Sequence, residues 1–210
     1  MSPGWTKAIS IAGIALAALS VWGCGSVGIP GLSKTDAAEE SYPAVATTRY
    51  ARALGYMDAG DDRRAVDELE DLRERYPDYS GPLVNLGIIH GRNGRPDAAV
   101  AAFERAITIC SACAIAHNQL GIAQRKQGRF MEAEKSYLRA IKADPGYKLA
   151  YFNLGVLHDL YNRKPELALR YYRLYTEHET DLDARRFVEK WILDLERRLA
   201  RSQRSARVEQ

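Results

Sequence analysis

Two cysteines three residues apart, Cys110 and Cys113, form the one side-chain pair in this 210-residue chain whose spacing points directly to chemistry. With His117 they would supply three zinc ligands, but the spacing indicates no fourth. A redox dithiol belongs in a strand–helix–strand setting, and covalent haem attachment needs a histidine directly after the second cysteine, where Ala114 stands. Two interpretations remain, a local disulfide, which an exported protein would permit, or two thiols.

Other chemical motifs are missing from the sequence. No glycine-rich phosphate loop and no nucleophile elbow occurs, and the acidic residues between positions 61 and 71 suit a solvated helix face. The 30 Lys and Arg against 27 Asp and Glu give a net charge of +3, well short of the dense basic surface that nucleic acids need. We therefore predict a non-enzymatic protein with no cofactor, no metal, no small-molecule substrate and no nucleic-acid partner.

The third cysteine, Cys24, follows an apolar run over residues 8–22 that Lys7 precedes. This run is shorter than the ~20 residues that a membrane-spanning helix needs. The pattern resembles a bacterial lipoprotein signal, which implies that residues 1–23 are a signal peptide and that Cys24 is acylated. The alternatives are an ordinary signal peptide or a short uncleaved anchor, with Cys24 an incidental thiol.

Gly25 occupies the position where enterobacterial-type lipoproteins retained in the inner membrane carry Asp. The resemblance therefore implies an outer-membrane protein of the cell envelope, lipid-anchored and facing the periplasm. Residues 24–45 are rich in Gly, Pro and Ser, which predicts a flexible tether between the anchor and the folded part.

A period of 34 residues organises the middle of the chain. A tripeptide made of a carboxamide residue, leucine and glycine stands at 85–87, and again at 119–121 and 153–155. The same interval relates further columns of residues. These columns are Gly60, Gly94 and Gly128; Ala65, Ala99 and Ala133; and Leu69, Phe103 and Tyr137.

The period and the residue types resemble the tetratricopeptide repeat, a helix–turn–helix unit. The resemblance covers residues 46–182, in copies at 46–79, 80–113, 114–147 and 148–182. It implies an all-α fold, a superhelical solenoid of four stacked hairpins. The last copy has one extra residue, which we place in its inter-helix turn, because Ala168 and Tyr172 come 35 residues after their counterparts.

Apolar residues recur at three- and four-residue spacing after the last copy, which predicts an amphipathic capping helix followed by a basic tail over residues 183–210. They are Phe187, Val188, Trp191, Leu195 and Leu199. Eight Lys and Arg stand against four Asp and Glu between residues 185 and 210. This charge suits a solvated face, and the alternative is binding to a membrane surface through Arg197, Arg198, Arg201 and Arg204.

By the same resemblance, the first helix of each hairpin lines an inner groove that binds a protein or peptide partner. The predicted groove residues are Tyr50, Asn85, Ile88, Arg92, Asn118, Gln119, Ile122, Arg125, Lys126, Phe152, Asn153 and Val156. Asn85, Gln119 and Asn153 recur once per repeat, and such a ladder of carboxamides can pair with the peptide groups of an extended chain. We expect their replacement by Ala to weaken partner binding with little loss of stability.

Some members of the family clamp a terminal carboxylate with cations on this face. Here Tyr50, Val84, Ile115 and Gln119 occupy those positions, so that activity is not expected. The whole pattern resembles the repeat lipoproteins that serve pilus, secretin or outer-membrane protein assembly. The alternatives are an adaptor in cytochrome c or thiol maturation that uses Cys110 and Cys113, and a scaffold for cell-wall enzymes.

Overall fold

The computed structural model describes residues 43–208, so the predictions for the signal peptide, for Cys24 and for most of the tether lie outside it. The described residues form nine α-helices and no strand. The helices are α1 (Ala44–Asp58), α2 (Asp62–Arg75), α3 (Ser80–Arg92), α4 (Pro96–Ile109), α5 (Ala114–Lys126), α6 (Phe130–Ala143), α7 (Lys148–Val156), α8 (Pro165–His178) and α9 (Leu182–Val208).

Consecutive helices pack as four hairpins, α1 with α2 through α7 with α8, and α9 packs on α8. The predicted all-α array of four helix–turn–helix units with a C-terminal helix is therefore confirmed. No helix within residues 43–208 is both long and apolar enough to cross a membrane.

Glycines and prolines mark the ends and beginnings of helices at the positions that the repeat pattern predicted. Gly60, Gly94 and Gly128 follow the first helices with φ of +74°, +70° and +77°, a conformation that side chains with a Cβ adopt rarely. Pro96 and Pro165 begin α4 and α8, where a missing N–H costs no intrahelical bond. These residues set the tight turn inside each hairpin.

The extra residue of the fourth copy lies at the end of its first helix, and not in the turn where we predicted it. After α7 the chain continues as a π-helical segment, Leu157–Tyr161, and the Asn162 N–H donates to the Leu157 carbonyl at 2.9 Å, five residues back. The wider π turn absorbs one residue without breaking the helix. Arg163, with φ of +52°, then takes the place that glycine holds in the other turns.

The repeated columns form the packing between the two helices of each hairpin. Leu69, Phe103, Tyr137 and Tyr172 are at most 2% exposed, and each lies on the second helix of its hairpin. Three of these rings lie against a glycine of the first helix, so closely that a Cβ built on Gly121 would lie 2.5 Å from Cε1 of Tyr137. Gly87, Gly121 and Gly155 therefore leave room for the ring column, which consists of Phe103, Tyr137 and Tyr172.

Helix α9 begins at a side-chain cap and covers the last hairpin. The Asp181 carboxylate accepts the N–H groups of Asp183 and Ala184 at 2.9 and 2.8 Å. Val188 and Leu195 are 1% and 0% exposed against α8. The predicted amphipathic cap is thus formed.

Candidate functional site

The twelve predicted groove residues all lie on the first helices α1, α3, α5 and α7. Helix α3 contacts α5, α5 contacts α7, and the Asn85 side chain of α3 donates to the Tyr50 hydroxyl of α1, so these four helices form one continuous surface. We call it the first-helix face. The position of each predicted residue on this face decides whether it is available to a partner.

Asn85 and Asn153, two of the three carboxamide residues predicted to pair with a peptide, instead form hydrogen bonds to a neighbouring hairpin. The Asn85 Nδ2 donates to the Tyr50 hydroxyl at 2.6 Å and to the Gly81 carbonyl at 3.2 Å. The Asn153 Nδ2 donates to Oδ1 of Asn118 at 2.9 Å. All four of these polar side chains are buried, with Asn85 7% and Asn153 8% exposed. These amides therefore tie consecutive first helices together.

This arrangement corrects the expectation that replacing the three carboxamides would cause little loss of stability. Removing Asn153 would leave the buried Asn118 carboxamide without its hydrogen-bond donor, which costs ~1–3 kcal/mol. The pairs Tyr50–Asn85 and Asn118–Asn153 are both 35 residues apart. This separation is one residue more than the 34-residue repeat, so polar residues 35 positions apart in the sequence could have indicated both pairs.

The third of these carboxamide residues, Gln119, is half-buried on α5. Ile88 on α3 and Ile122 on α5 are also half-buried, and each packs partly against the core beneath it. These three side chains combine a carboxamide with aliphatic surface at the middle of the first-helix face.

The predicted cations have different surroundings. Arg92 pairs with Asp62 and donates to the Met57 carbonyl at 3.4 Å, so it joins the second hairpin to the first. Arg125 donates to the hydroxyls of Tyr137 and Tyr161 at 3.3 and 3.2 Å. Lys126 is exposed at the end of α5.

Burial of the Arg125 guanidinium opposes its charge, but the two tyrosines next to it raise the pKa of Arg125 overall. Its charge is therefore retained on the first-helix face. The Arg125 Cζ also lies 5.5 Å from the centre of the Tyr161 ring, which is a cation–π arrangement. Tyr161 is 42% exposed.

An aromatic cluster forms where the first-helix face meets α9. The Phe152 ring centre lies 5.4 Å from that of Tyr175 and 5.7 Å from that of Trp191. Phe187 lies 5.1 Å from Trp191 and is 36% exposed. Sequence reasoning assigned Phe152 to the groove and Trp191 to the cap, and the structure brings the two together. Val156, by contrast, is buried.

Cys110 and Cys113 flank the turn between α4 and α5, and the Cys113 N–H donates to the Cys110 carbonyl at 3.1 Å. The two interpretations drawn from the sequence, a local disulfide and two thiols, both stay predictions. Cys113 is 3% exposed within the core and Cys110 packs against the same cluster, so both fill space as small apolar groups.

The three side chains considered for zinc are not arranged as ligands. His117 Nε2 lies 2.9 Å from the Ser111 carbonyl, at hydrogen-bonding distance from the backbone. Within the described part of the chain, no group of three or more Cys, His, Asp or Glu is placed to hold a metal ion.

Comparison with known proteins identifies the repeats. Family models described as tetratricopeptide repeat match residues 48–79, 81–145 and 118–181. No curated protein matches the chain in sequence.

Solved structures share the fold at low sequence identity. PilF of Pseudomonas aeruginosa is 22% identical, with a TM-score of 0.65, over 76% of this chain and 72% of that one. YrrB, described as a TPR protein with an unusual peptide-binding site, is 22% identical, with a TM-score of 0.55, over 69% and 74%. MamA is 20% identical, with a TM-score of 0.53, over 74% and 94%.

Proposed function

The chain belongs to the tetratricopeptide-repeat proteins, and from this membership we propose that it is a non-enzymatic scaffold that binds an extended segment of another polypeptide on its first-helix face. Three half-buried side chains in the middle of that face, Ile88, Gln119 and Ile122, carry the proposal. They offer aliphatic contact and one carboxamide able to donate to and accept from a peptide group. The peptide-binding site described for YrrB, which has the same fold, supports this role.

The buried amides contribute less to binding than the repeat pattern predicts. Asn85 and Asn153 direct their N–H groups into the structure, and less than a tenth of each side chain is exposed. Gln119 is therefore the main peptide-reading side chain of the ladder. The retained charge of Arg125 and the exposed ammonium of Lys126 lie nearly two turns further along α5 and favour a partner segment with acidic residues.

We place this scaffold in the bacterial cell envelope, anchored to the outer membrane by an acylated Cys24 and facing the periplasm. Its partner would be a component of a pilus, secretin or outer-membrane protein assembly system. The lipoprotein-like signal supports the location, and the similarity in fold to PilF is compatible with the role.

Partner capture from detergent-solubilised envelopes tests the binding surface. The test variant combines Ile88→Ser, Gln119→Ala and Ile122→Ser. The matched control combines Met131→Ser and Leu138→Ser, which lie on second helix α6 and are 80% and 42% exposed. We expect the test variant to lose the partner and the control to keep it, with both still folded by circular dichroism. Equal binding by the test variant and the unmodified chain contradicts the proposal.

Labelling cells with a clickable fatty acid tests the anchor separately. We expect incorporation into the unmodified chain and none into Cys24→Ala. Incorporation that survives this substitution would contradict acylation at Cys24, but it would leave the binding surface untouched.

A further inference from the structure

Helix α9 has two faces of different chemistry. Over its 27 residues, the side toward α8 carries the buried Val188 and Leu195. With 3.6 residues per turn, Arg186, Lys190, Arg197, Arg201 and Arg204 share the opposite side. All five are exposed. We call these five residues the basic face.

Neighbouring carboxylates neutralise other arginines of this region but hardly touch the basic face. Arg198 pairs with Asp159 at 2.9 Å, and Arg173 pairs with Glu196 at 2.7 Å. On the basic face, Arg186 has a single contact, at 3.8 Å, to Asp183, whose side chain is 96% exposed. Lys190, Arg197, Arg201 and Arg204 form no ion pair with any carboxylate of the described residues.

One aliphatic side chain lies among these cations. Leu193 is 51% exposed at the edge of the basic face, between Lys190 and Arg197 along the helix, and is not part of the core around α9. An exposed leucine between arginines suits a bilayer surface, where the charge meets lipid headgroups and the aliphatic group enters the apolar boundary.

We propose that the basic face of α9 binds the surface of an anionic phospholipid bilayer. The five cations extend over 18 residues of one helix, about 27 Å, with their charges in a row. A flat array of phosphate headgroups matches this row along its whole length. The exposed Leu193 beside the row favours a bilayer over an acidic peptide, because its aliphatic side chain can enter the apolar boundary of the lipid. Each Lys or Arg brought to an anionic membrane surface adds favourable free energy, so four or five act together.

The proposal does not depend on acylation of Cys24. It assigns a second membrane contact at the other end of the chain, through the described part of the protein. A helix held flat on the bilayer by its basic face would keep its apolar side, and with it the fourth hairpin, directed away from the lipid. The first-helix face would then have a fixed orientation to the membrane.

Hydrogen–deuterium exchange of the full chain tests the proposal. Exchange of the amides at residues 197–208 is measured with vesicles of phosphatidylcholine alone and with vesicles that also contain phosphatidylglycerol. Any contact of the N-terminal apolar run is common to both, so the difference between them reports on charge. We expect exchange to slow about tenfold with the anionic vesicles only, and the effect to disappear in high salt.

Two variants with the same change in net charge provide the control. The test variant is Lys190→Gln, Arg197→Gln, Arg201→Gln and Arg204→Gln. The control replaces exposed arginines of the second helices, Arg63→Gln, Arg105→Gln, Arg139→Gln and Arg170→Gln. We expect the test variant to lose the protection and the control to keep it.

Three results would overturn the proposal. They are equal exchange in the two kinds of vesicle, protection that survives in the test variant, and protection by duplex DNA or polyglutamate at matched charge without protection by anionic vesicles. The last result would assign the basic face to an acidic polymer in place of lipid.

Discussion

At the scale of single residues, the fold depends on glycines that leave room for a neighbouring side chain. Gly87, Gly121 and Gly155 allow an aromatic ring of the second helix to lie directly on the backbone of the first. Gly91, one turn after Gly87, has a different setting, because a Cβ there would meet only the Cβ of Ala99 at an ordinary 3.7 Å. Two glycines of the same helix, α3, thus differ in whether their lack of a Cβ matters.

Gly121→Ala is expected to destabilise the protein by ~1–3 kcal/mol, because the new Cβ would lie 2.5 Å from the Tyr137 ring and force a buried side chain to move. Gly91→Ala is the control, and we expect it to be neutral or to stabilise by up to ~1 kcal/mol through higher helix propensity. Urea unfolding followed by circular dichroism measures both. Similar losses of unfolding free energy in the two variants would mean that the contact with the Tyr137 ring is not the reason why position 121 requires glycine.

At the scale of helices and their connections, polar side chains 30 or 31 residues apart link one hairpin to the next. Asp62 at the start of α2 accepts the Asn93 amide at 2.8 Å, and Asp97 near the start of α4 accepts the Gln127 amide at 2.9 Å. After the fourth hairpin, Glu179 has this role. It is 4% exposed and accepts hydrogen bonds from Lys148, from the Tyr175 hydroxyl and from the Asp181 N–H.

Glu179→Gln is expected to destabilise the protein by ~1–3 kcal/mol at neutral pH, because the buried hydrogen-bond donors lose a charged acceptor. Burial alone would raise the pKa of Glu179, but the bonds from Lys148, Tyr175 and the Asp181 N–H lower it overall, below the ordinary value of 4.5. The folded protein therefore binds this proton less readily than the unfolded chain does. The contribution of Glu179 is complete above pH 4.5 and is lost as the pH falls through the lower, folded value.

Unfolding measured between neutral and acid pH checks this prediction. The difference between Glu179→Gln and the unmodified chain should narrow as the pH falls below 4.5. Glu177→Gln, at an exposed position on α8, serves as the control and should stay within ~0.5 kcal/mol throughout. A difference that remains constant into acid would show that the effect is one of packing and not of charge.

The sequence predicted the helices well because repetition supplies the same evidence several times. The 34-residue columns located the hairpins and the glycine turns. Repetition failed where one copy departs from the others, as in the π turn at Leu157–Tyr161. It also cannot show whether a recurring Asn points to solvent or to the next hairpin, because Asn85 and Asn153 keep the same register in either case.

At the scale of the whole molecule, each hairpin packs mainly on its neighbours along the chain. In such an array the stability is close to a sum of hairpin terms and interface terms, so a change at one end is felt most strongly there. Trp191 is the test case, because it touches Phe152 of the first-helix face, Tyr172 of the ring column and Phe187 of α9.

Trp191→Ala is expected to lower the local stability of α7, α8 and α9 by roughly 2–3 kcal/mol, because a large half-buried ring is lost from an end hairpin with a single covering helix. Amide exchange by hydrogen–deuterium mass spectrometry should then speed up over residues 148–199 by about 30–150-fold, while α1 to α4 change little. Leu193→Ala, on the exposed side of the same helix, is the control and should leave exchange in α7 and α8 unchanged. If α1 and α2 lost protection as much as α8, the array would unfold as one cooperative block, and the first-helix face would be rigid from end to end rather than adaptable at its aromatic end.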